Sequence, residues 1–270
     1  MKLFRSKRIV RYKIYELVGN IALLIKLKPK GIIFIIGTGR CGSTLFQNIL
    51  NTSNSLCVFP GEANEYFHPE LYPFSKDKIS ILDDPRKFSE ISEKNWDKVF
   101  IKLNKLFLGY LLLKGNNKPL VVKSAMISFL SKQLSNSYPQ SKFIHLYRNA
   151  IPVINSIEKK EWIKHKNHYS NKSEFRKKAA HYWNDCIVSV FNFQKEIDKS
   201  RFFEVSYEFL CVNSKKALQD ISLFINIKND FETDKIEIHK SKSENTSEYN
   251  SVNDCFSIVK ETLLLKGYIK

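Results

Sequence analysis

Acidic residues are scarce in this chain. Asp and Glu total 27 against 44 Lys and Arg, for a formal net charge of +17 over 270 residues. The deficit is concentrated at one end: residues 1–30 carry nine basic residues and one acid, Glu16, for +8. Such a field favours anionic ligands, anionic acceptors or membrane headgroups and does not choose among them. Cysteine is equally uninformative as a scaffold. Positions 41, 57, 186, 211 and 255 are scattered, odd in number and contain no Cys-x-x-Cys pair. That argues against a disulfide framework or a zinc site and points to a reducing compartment. No run approaches the about 18 apolar residues of a membrane span, and Asn20 and Lys26 interrupt the N-terminal apolar stretch too early for a secretory signal. Gly (9) and Pro (8) are few, and no low-complexity tract or repeat occurs. The length suits one core, since single domains extend to about 250–300 residues. Three Asn-x-Ser/Thr sequons, at Asn51, Asn171 and Asn245, are what an Asn- and Ser-rich chain yields by chance.

What is present alternates. Short apolar runs at Ile32–Ile36, Leu120–Val122, Phe143–Tyr147 and Phe202–Val205 read as buried parallel strands, with Leu56–Phe59 pairing nearby. Helical patterns lie between and beyond them at 88–114, 124–137, 150–160, 173–199, 214–225 and 251–266. In the first, Ile91, Val99, Leu103, Leu106, Phe107 and Tyr110 share one stripe. The alternation implies right-handed βαβ units and a parallel sheet covered by helices on both faces. Residues 1–30 form a basic amphipathic helix ahead of a single domain over 31–270. Val10, Ile14, Leu17, Val18, Ile21, Leu24 and Ile25 stand at helical spacing in that helix. They either pack it on the domain or lay it on a membrane surface. Lys28-Pro29-Lys30-Gly31 then breaks it before the first strand.

In open parallel sheets ligands bind beyond the carboxyl ends of the strands. The first such end reads Gly37-Thr38-Gly39-Arg40-Cys41-Gly42-Ser43-Thr44. Its G-x-x-x-x-G skeleton lets backbone amides converge on a phosphate, and the helix N-terminus behind it adds roughly half a positive charge. A triphosphatase would carry Lys at position 43 and a later strand-end Asp for Mg²⁺. Here position 43 is Ser, and the later strand ends read Lys123-Ser124 and Arg148-Asn149. A strand-turn-helix without phosphate is the alternative for this segment. Another strand end carries Arg148, with Ser156 eight residues on and Pro152 in the first helical turn. Arg148 and Ser156 can grip one phosphate, or they can be a strand-capping arginine and a surface serine.

Together the two segments resemble the sulfotransferases that use 3′-phosphoadenosine 5′-phosphosulfate (PAPS). The family's 5′-phosphosulfate loop, G-x-x-[RK]-[SC]-G-[ST]-[ST], is matched by Gly37 to Thr44. Its 3′-phosphate segment, R-[DN]-x-x-x-x-x-x-S, is matched by Arg148, Asn149 and Ser156. Pro60-Gly61-Glu62, Lys123-Ser124 and Val205-Ser206-Tyr207-Glu208-Phe209-Leu210 are weaker echoes, the last with Phe209 where the family has an acid. The resemblance covers about residues 31 to 225. It implies a three-layer α/β/α fold of P-loop type around a central parallel sheet of about five strands, with PAPS as cosubstrate and no metal. It also implies 5′-phosphosulfate contacts from Gly39, Arg40, Cys41, Gly42, Ser43 and Thr44, and 3′-phosphate contacts from Arg148 and Ser156. Arg40 and Lys123 would be the cations at the leaving group. Cytosolic members carry a histidine base two residues after the equivalent of Lys123; here that residue is Ala125. Other branches use a glutamate after the first helix, which selects Glu62, with Glu65 and His68 as competitors.

Residues 157–178, with eight basic residues and the interleaved Trp162, His165, His168 and Tyr169, could rim the acceptor cleft. Residues 239–250, rich in Lys, Ser and Asn, could form a lid. The expected acceptor is a hydroxyl or amine on a glycan, glycolipid or small metabolite, met in the cytoplasm and in contact with a membrane if the N-terminal helix docks there. No nucleic acid partner is expected. A diverged P-loop kinase and a non-catalytic basic module that binds membrane or nucleic acid are the competing readings.

Overall fold

The computed structural model describes residues 2–62, 90, 94–114, 118–159, 171–233 and 253–269. The competitors Glu65 and His68, residues 160–170 of the 157–178 basic segment and the 239–250 segment lie outside these residues. Five strands form one parallel sheet: β1 (Ile32–Ile36), β2 (Cys57–Val58), β3 (Leu120–Lys123), β4 (Lys142–Tyr147) and β5 (Phe202–Ser206), in spatial order β2-β3-β1-β4-β5. Each expected strand is found within two residues of its expected bounds. The run Ile-Ile-Phe-Ile-Ile of β1 is buried on both faces, as a central strand of a doubly covered sheet requires. Ile32, Phe34 and Ile36 face one core, while Ile33 and Ile35 face the other.

The helices divide between those two cores. Residues of α1 (Lys2–Leu24), α3 (Trp96–Lys114), α5 (Ala150–Lys159), α6 (Lys172–Glu196) and α9 (Asn253–Leu265) contribute to the larger core. Residues of α2 (Ser43–Leu50), α7 (Tyr207–Val212) and α8 (Ser214–Ile225) contribute to the smaller one. The stripe foreseen on α3 is buried at Val99, Leu103, Leu106, Phe107 and Tyr110. The helix foreseen over 124–137 splits into a 3₁₀ turn, Met126–Leu130, and α4 (Ser131–Ser137). Helix α7, only six residues long, has no periodicity to read; the Ser206 hydroxyl caps it by accepting from the Phe209 N–H at 3.1 Å.

Helix α1 ends before the Lys28–Gly31 breaker. Lys26 takes a left-handed conformation (φ 54°), and the N–H groups of Lys26 and Leu27 donate back to the carbonyls of Leu23 and Ala22. This is a Schellman stop built on a lysine. The helix packs on α3 through Tyr15 and Gly19, and Tyr12 and Ala22 are buried as well. Of the stripe that was to pack on the domain or lie on a membrane, Val10, Ile14, Leu17, Ile21, Leu24 and Ile25 are exposed and Val18 is half-buried. No helix among the described residues is long and apolar enough to cross a membrane.

Candidate active site

All five strands run parallel, so their carboxyl ends share one edge of the sheet, and each contributes to one cluster there. After β1, residues 37–42 turn tightly into α2. Arg40 is left-handed at φ 69° and Gly42 at φ 97°. Left-handed residues alternating with ordinary ones turn successive amides toward one point, the geometry of an anion nest. A left-handed non-glycine residue costs roughly 1 kcal/mol or more and persists where the surroundings impose it.

Those surroundings are identifiable. The Ser128 hydroxyl, on the 3₁₀ turn after β3, donates to the Gly37 carbonyl at 2.9 Å and accepts from the Gly37 N–H at 2.8 Å. The buried Tyr182 hydroxyl on α6 accepts from the Gly39 N–H at 2.9 Å. The next residue, Trp183, donates from Nε1 to the Arg148 carbonyl at 2.9 Å. Two consecutive aromatics of one helix therefore brace both motif segments.

The two segments also meet directly. Arg40 Nε donates to Ser156 Oγ at 3.0 Å, and Arg148 Nη1 makes a long contact, 3.5 Å, with the Arg40 carbonyl. The Arg148 guanidinium stacks 4.2 Å above the Tyr207 ring at the end of β5. Ser156 was expected to work with Arg148; here its hydrogen bond goes to Arg40, which sits between the two. The Gly39 N–H was expected to face a phosphate, and it is committed to Tyr182 instead. Cys41 is wholly buried. Burial pushes its thiol up in pKa despite hydrogen bonds from Ser43, so its side chain is a neutral packing group and only its backbone can serve a ligand.

The ends of β2 and β3 bring in the acid and the second cation. Lys123, buried to 3% exposure, donates from Nζ to Glu62 Oε1 at 2.7 Å and reaches Thr44 Oγ1 at 3.3 Å. A carboxylate, an ammonium and a loop hydroxyl are thus contiguous. The backbone that carries Glu62 is itself tied down. Gln47 Nε2 on α2 donates to the carbonyls of Phe59 and Gly61 at 2.8 and 3.2 Å, and the Tyr12 hydroxyl on α1 donates to the carbonyls of Pro60 and Glu62 at 3.4 and 3.2 Å. Sequence reasoning found Arg40, Glu62, Lys123, Arg148 and Ser156, and noted Tyr207 in the 205–210 echo, but missed Tyr12, Gln47, Ser128 and Tyr182. These belong to no local motif. The one available signal was a polar-tipped residue at a core position, where a buried hydroxyl or amide needs a partner.

The family model of the sulfotransferase family matches residues 32–231. The chain belongs to the sulfotransferase family, which supports sulfuryl transfer as its class of chemistry. No protein in the curated collection matches by sequence. Among solved structures, sulfotransferase STF9 from Mycobacterium avium is similar over 93% of this chain and 81% of its own, with TM-score 0.63 and 11% identity. The sulfotransferase domain from the curacin biosynthetic pathway is similar over 87% of this chain and 98% of its own, with TM-score 0.54 and 19% identity. The sulfotransferase domain of the Synechococcus PCC 7002 olefin synthase gives 87% and 95%, with TM-score 0.53 and 16% identity. At such identities these likenesses show the fold.

Proposed function

We propose that this protein transfers a sulfuryl group from PAPS to a hydroxyl or amine of a glycan, glycolipid or small metabolite, with Glu62 as the base. The observation that carries this reading is the position of Lys123, which joins Glu62 at 2.7 Å to the loop hydroxyl of Thr44 at 3.3 Å. It supports placing a proton acceptor beside the group that would hold the donor's leaving phosphate. The donor set suits a phosphosulfate: a nest of amides, hydroxyls at Ser43 and Thr44, and two guanidiniums, Arg40 and Arg148, drawn to one place.

PAPS, when bound, supplies an electrophilic sulfur on a phosphate leaving group. The amides of Arg40, Gly42 and Thr44, with the Ser43 and Thr44 hydroxyls, hold the 5′-phosphate. Arg148 and Ser156 hold the 3′-phosphate. As the acceptor oxygen or nitrogen bonds to sulfur, Glu62 Oε takes its proton, while Arg40 and Lys123 stabilise the negative charge left on the departing phosphate oxygen. Before that step, the contact with Lys123 Nζ holds the Glu62 side chain in place.

Transfer of ³⁵S from labelled PAPS to sugar, lipid and phenol acceptors tests the reading. Glu62→Gln should lower kcat by about 10²–10⁴ and still bind 3′,5′-adenosine bisphosphate. Arg148→Ala should weaken that ligand by about ten- to a hundredfold, the worth of a charge-assisted contact. Unimpaired turnover by Glu62→Gln would remove it as the base. Stabilisation by ATP–Mg²⁺ but not by the bisphosphate would favour a kinase.

A further inference from the structure

Helix α1 carries two apolar faces, and the fold uses one. Tyr12 (3% exposed) and Ala22 (0%) are buried on the side where Gly19 meets α3. On the opposite side Val10, Ile14, Leu17, Ile21 and Leu24 follow at steps of four, three, four and three residues, with Ile25 alongside. They form one stripe, between 47% (Ile14) and 81% (Leu24) exposed. The solvent face of a helix packed on a soluble domain is ordinarily polar. This one spans about 21 Å at 1.5 Å per residue. Basic side chains border it: Arg11, Lys13, Lys26, Lys28 and Lys30 are all exposed, while Glu16 is the segment's only acid.

The charge decides between occupants. A second copy on this stripe would bring two segments of +8 into apposition across an apolar seam. An anionic lipid surface accepts both features together, apolar side chains in the headgroup–acyl boundary and cations among the phosphates. We propose that α1 docks flat on an anionic lipid surface through the stripe from Val10 to Ile25. The inference gives the proposed enzyme its location, and it rests on α1 rather than on the sulfotransfer chemistry. The opposite face of the same helix holds, through Tyr12, the carbonyls of Pro60 and Glu62. Only the width of α1 and one tyrosine ring would then separate the lipid surface from the candidate base.

The test uses the full chain and vesicles of phosphatidylcholine with or without phosphatidylglycerol, followed by co-sedimentation. Binding is expected to the phosphatidylglycerol vesicles and not to phosphatidylcholine alone, fading as salt rises. The exposed pair Leu17→Glu and Ile21→Glu, combined, should weaken it at least about tenfold, with unchanged melting temperature and unchanged binding of 3′,5′-adenosine bisphosphate. Equal vesicle binding by that variant, or none by the wild type, overturns the proposal. So does light scattering that shows a wild-type dimer and a variant monomer, which would assign the stripe to a second copy. Failure of both proteins to bind the bisphosphate would count against the donor assignment alone and leave the lipid result standing.

Discussion

At Gly42 the backbone needs both a left-handed conformation and empty space. Its φ is 97°, and a Cβ there would lie 2.2 Å from the Tyr207 ring. That ring is the platform for the Arg148 guanidinium, so the first motif and the second are sterically linked through Tyr207. Gly42→Ala should cost about 1–3 kcal/mol in stability and displace Arg148 along with the ring. A thermal melt with and without 3′,5′-adenosine bisphosphate should show both a lower melting temperature and a smaller ligand-induced shift. A variant that melts lower but keeps the full shift would uncouple the two motifs. Tyr182→Phe probes the same loop more gently. It leaves the Gly39 N–H without its buried acceptor, worth about 1–3 kcal/mol, and should loosen donor binding through the loop's shape, read as a rise in KM for PAPS larger than the fall in kcat.

Between elements, the decisive contact is the crossing of α1 and α3. A Cβ on Gly19 would lie 2.0 Å from the Lys105 carbonyl oxygen, and one on Gly109 would lie 1.8 Å from that of Tyr15. Both obstacles are backbone, which cannot rotate away. Interior glycines cost each helix about 1 kcal/mol relative to alanine, and the close approach they permit offsets that cost through packing around Tyr15, Phe59 and Tyr110. Gly109→Ala should therefore push α1 off α3. Circular dichroism would register a drop of about 1–3 kcal/mol, and because α1 holds the Glu62 backbone through Tyr12, kcat should fall with the donor Kd little changed. Retention of full kcat would show that the Glu62 segment stands without α1. In sequence, the alternation of strand and helix was plain because the runs of β1 and β3 are buried on both faces and so read as continuous, almost wholly apolar residues. The seam was not, since a glycine inside a helix reports only that something comes close and never what.

At the scale of the whole molecule, the residues just after α9 join the sheet through a polar cluster. Glu204 on β5 accepts from Lys266 at 2.6 Å and pairs with His145 Nδ1 at 2.7 Å, while Glu208 accepts from the Tyr268 hydroxyl at 2.8 Å and the Asn149 N–H at 3.2 Å. Burial would raise the Glu204 carboxyl, but the donors from His145 and Lys266 outweigh it and hold it at about 2. Burial lowers His145 below its ordinary 6.5, so at neutral pH it is an uncharged imidazole that donates from Nδ1. Both shifts act in one direction. The unfolded chain takes up protons at His145 below about 6.5 and at Glu204 below about 4.5, before the folded chain does. Stability is therefore full above pH 6.5 and falls progressively as pH drops toward 2. The Glu204 part is worth up to about 2–3 kcal/mol after allowance for its partial exposure. Melting temperature against pH should slope downward on the acid side, and Glu204→Gln should flatten the slope below about pH 4.5. An unchanged slope would place the acid sensitivity elsewhere.

The class of fold, and a candidate site at the carboxyl ends of the strands, are legible in the sequence alone. Apolar runs buried on two sides and a glycine-rich turn after the first of them are local patterns whose physics is complete within a few residues. The sequence also supplied Arg40, Glu62, Lys123, Arg148 and Ser156 as candidates. The folded chain sets how they pair: Arg40 with Ser156, Lys123 with Glu62 and Thr44, and the Gly39 N–H with the Tyr182 hydroxyl. It likewise decided which face of α1 is buried. A helical stripe of valine, leucine and isoleucine seeks an apolar neighbour in any context, whereas a pair of glycines at a helix crossing sets which face can come near enough to find one.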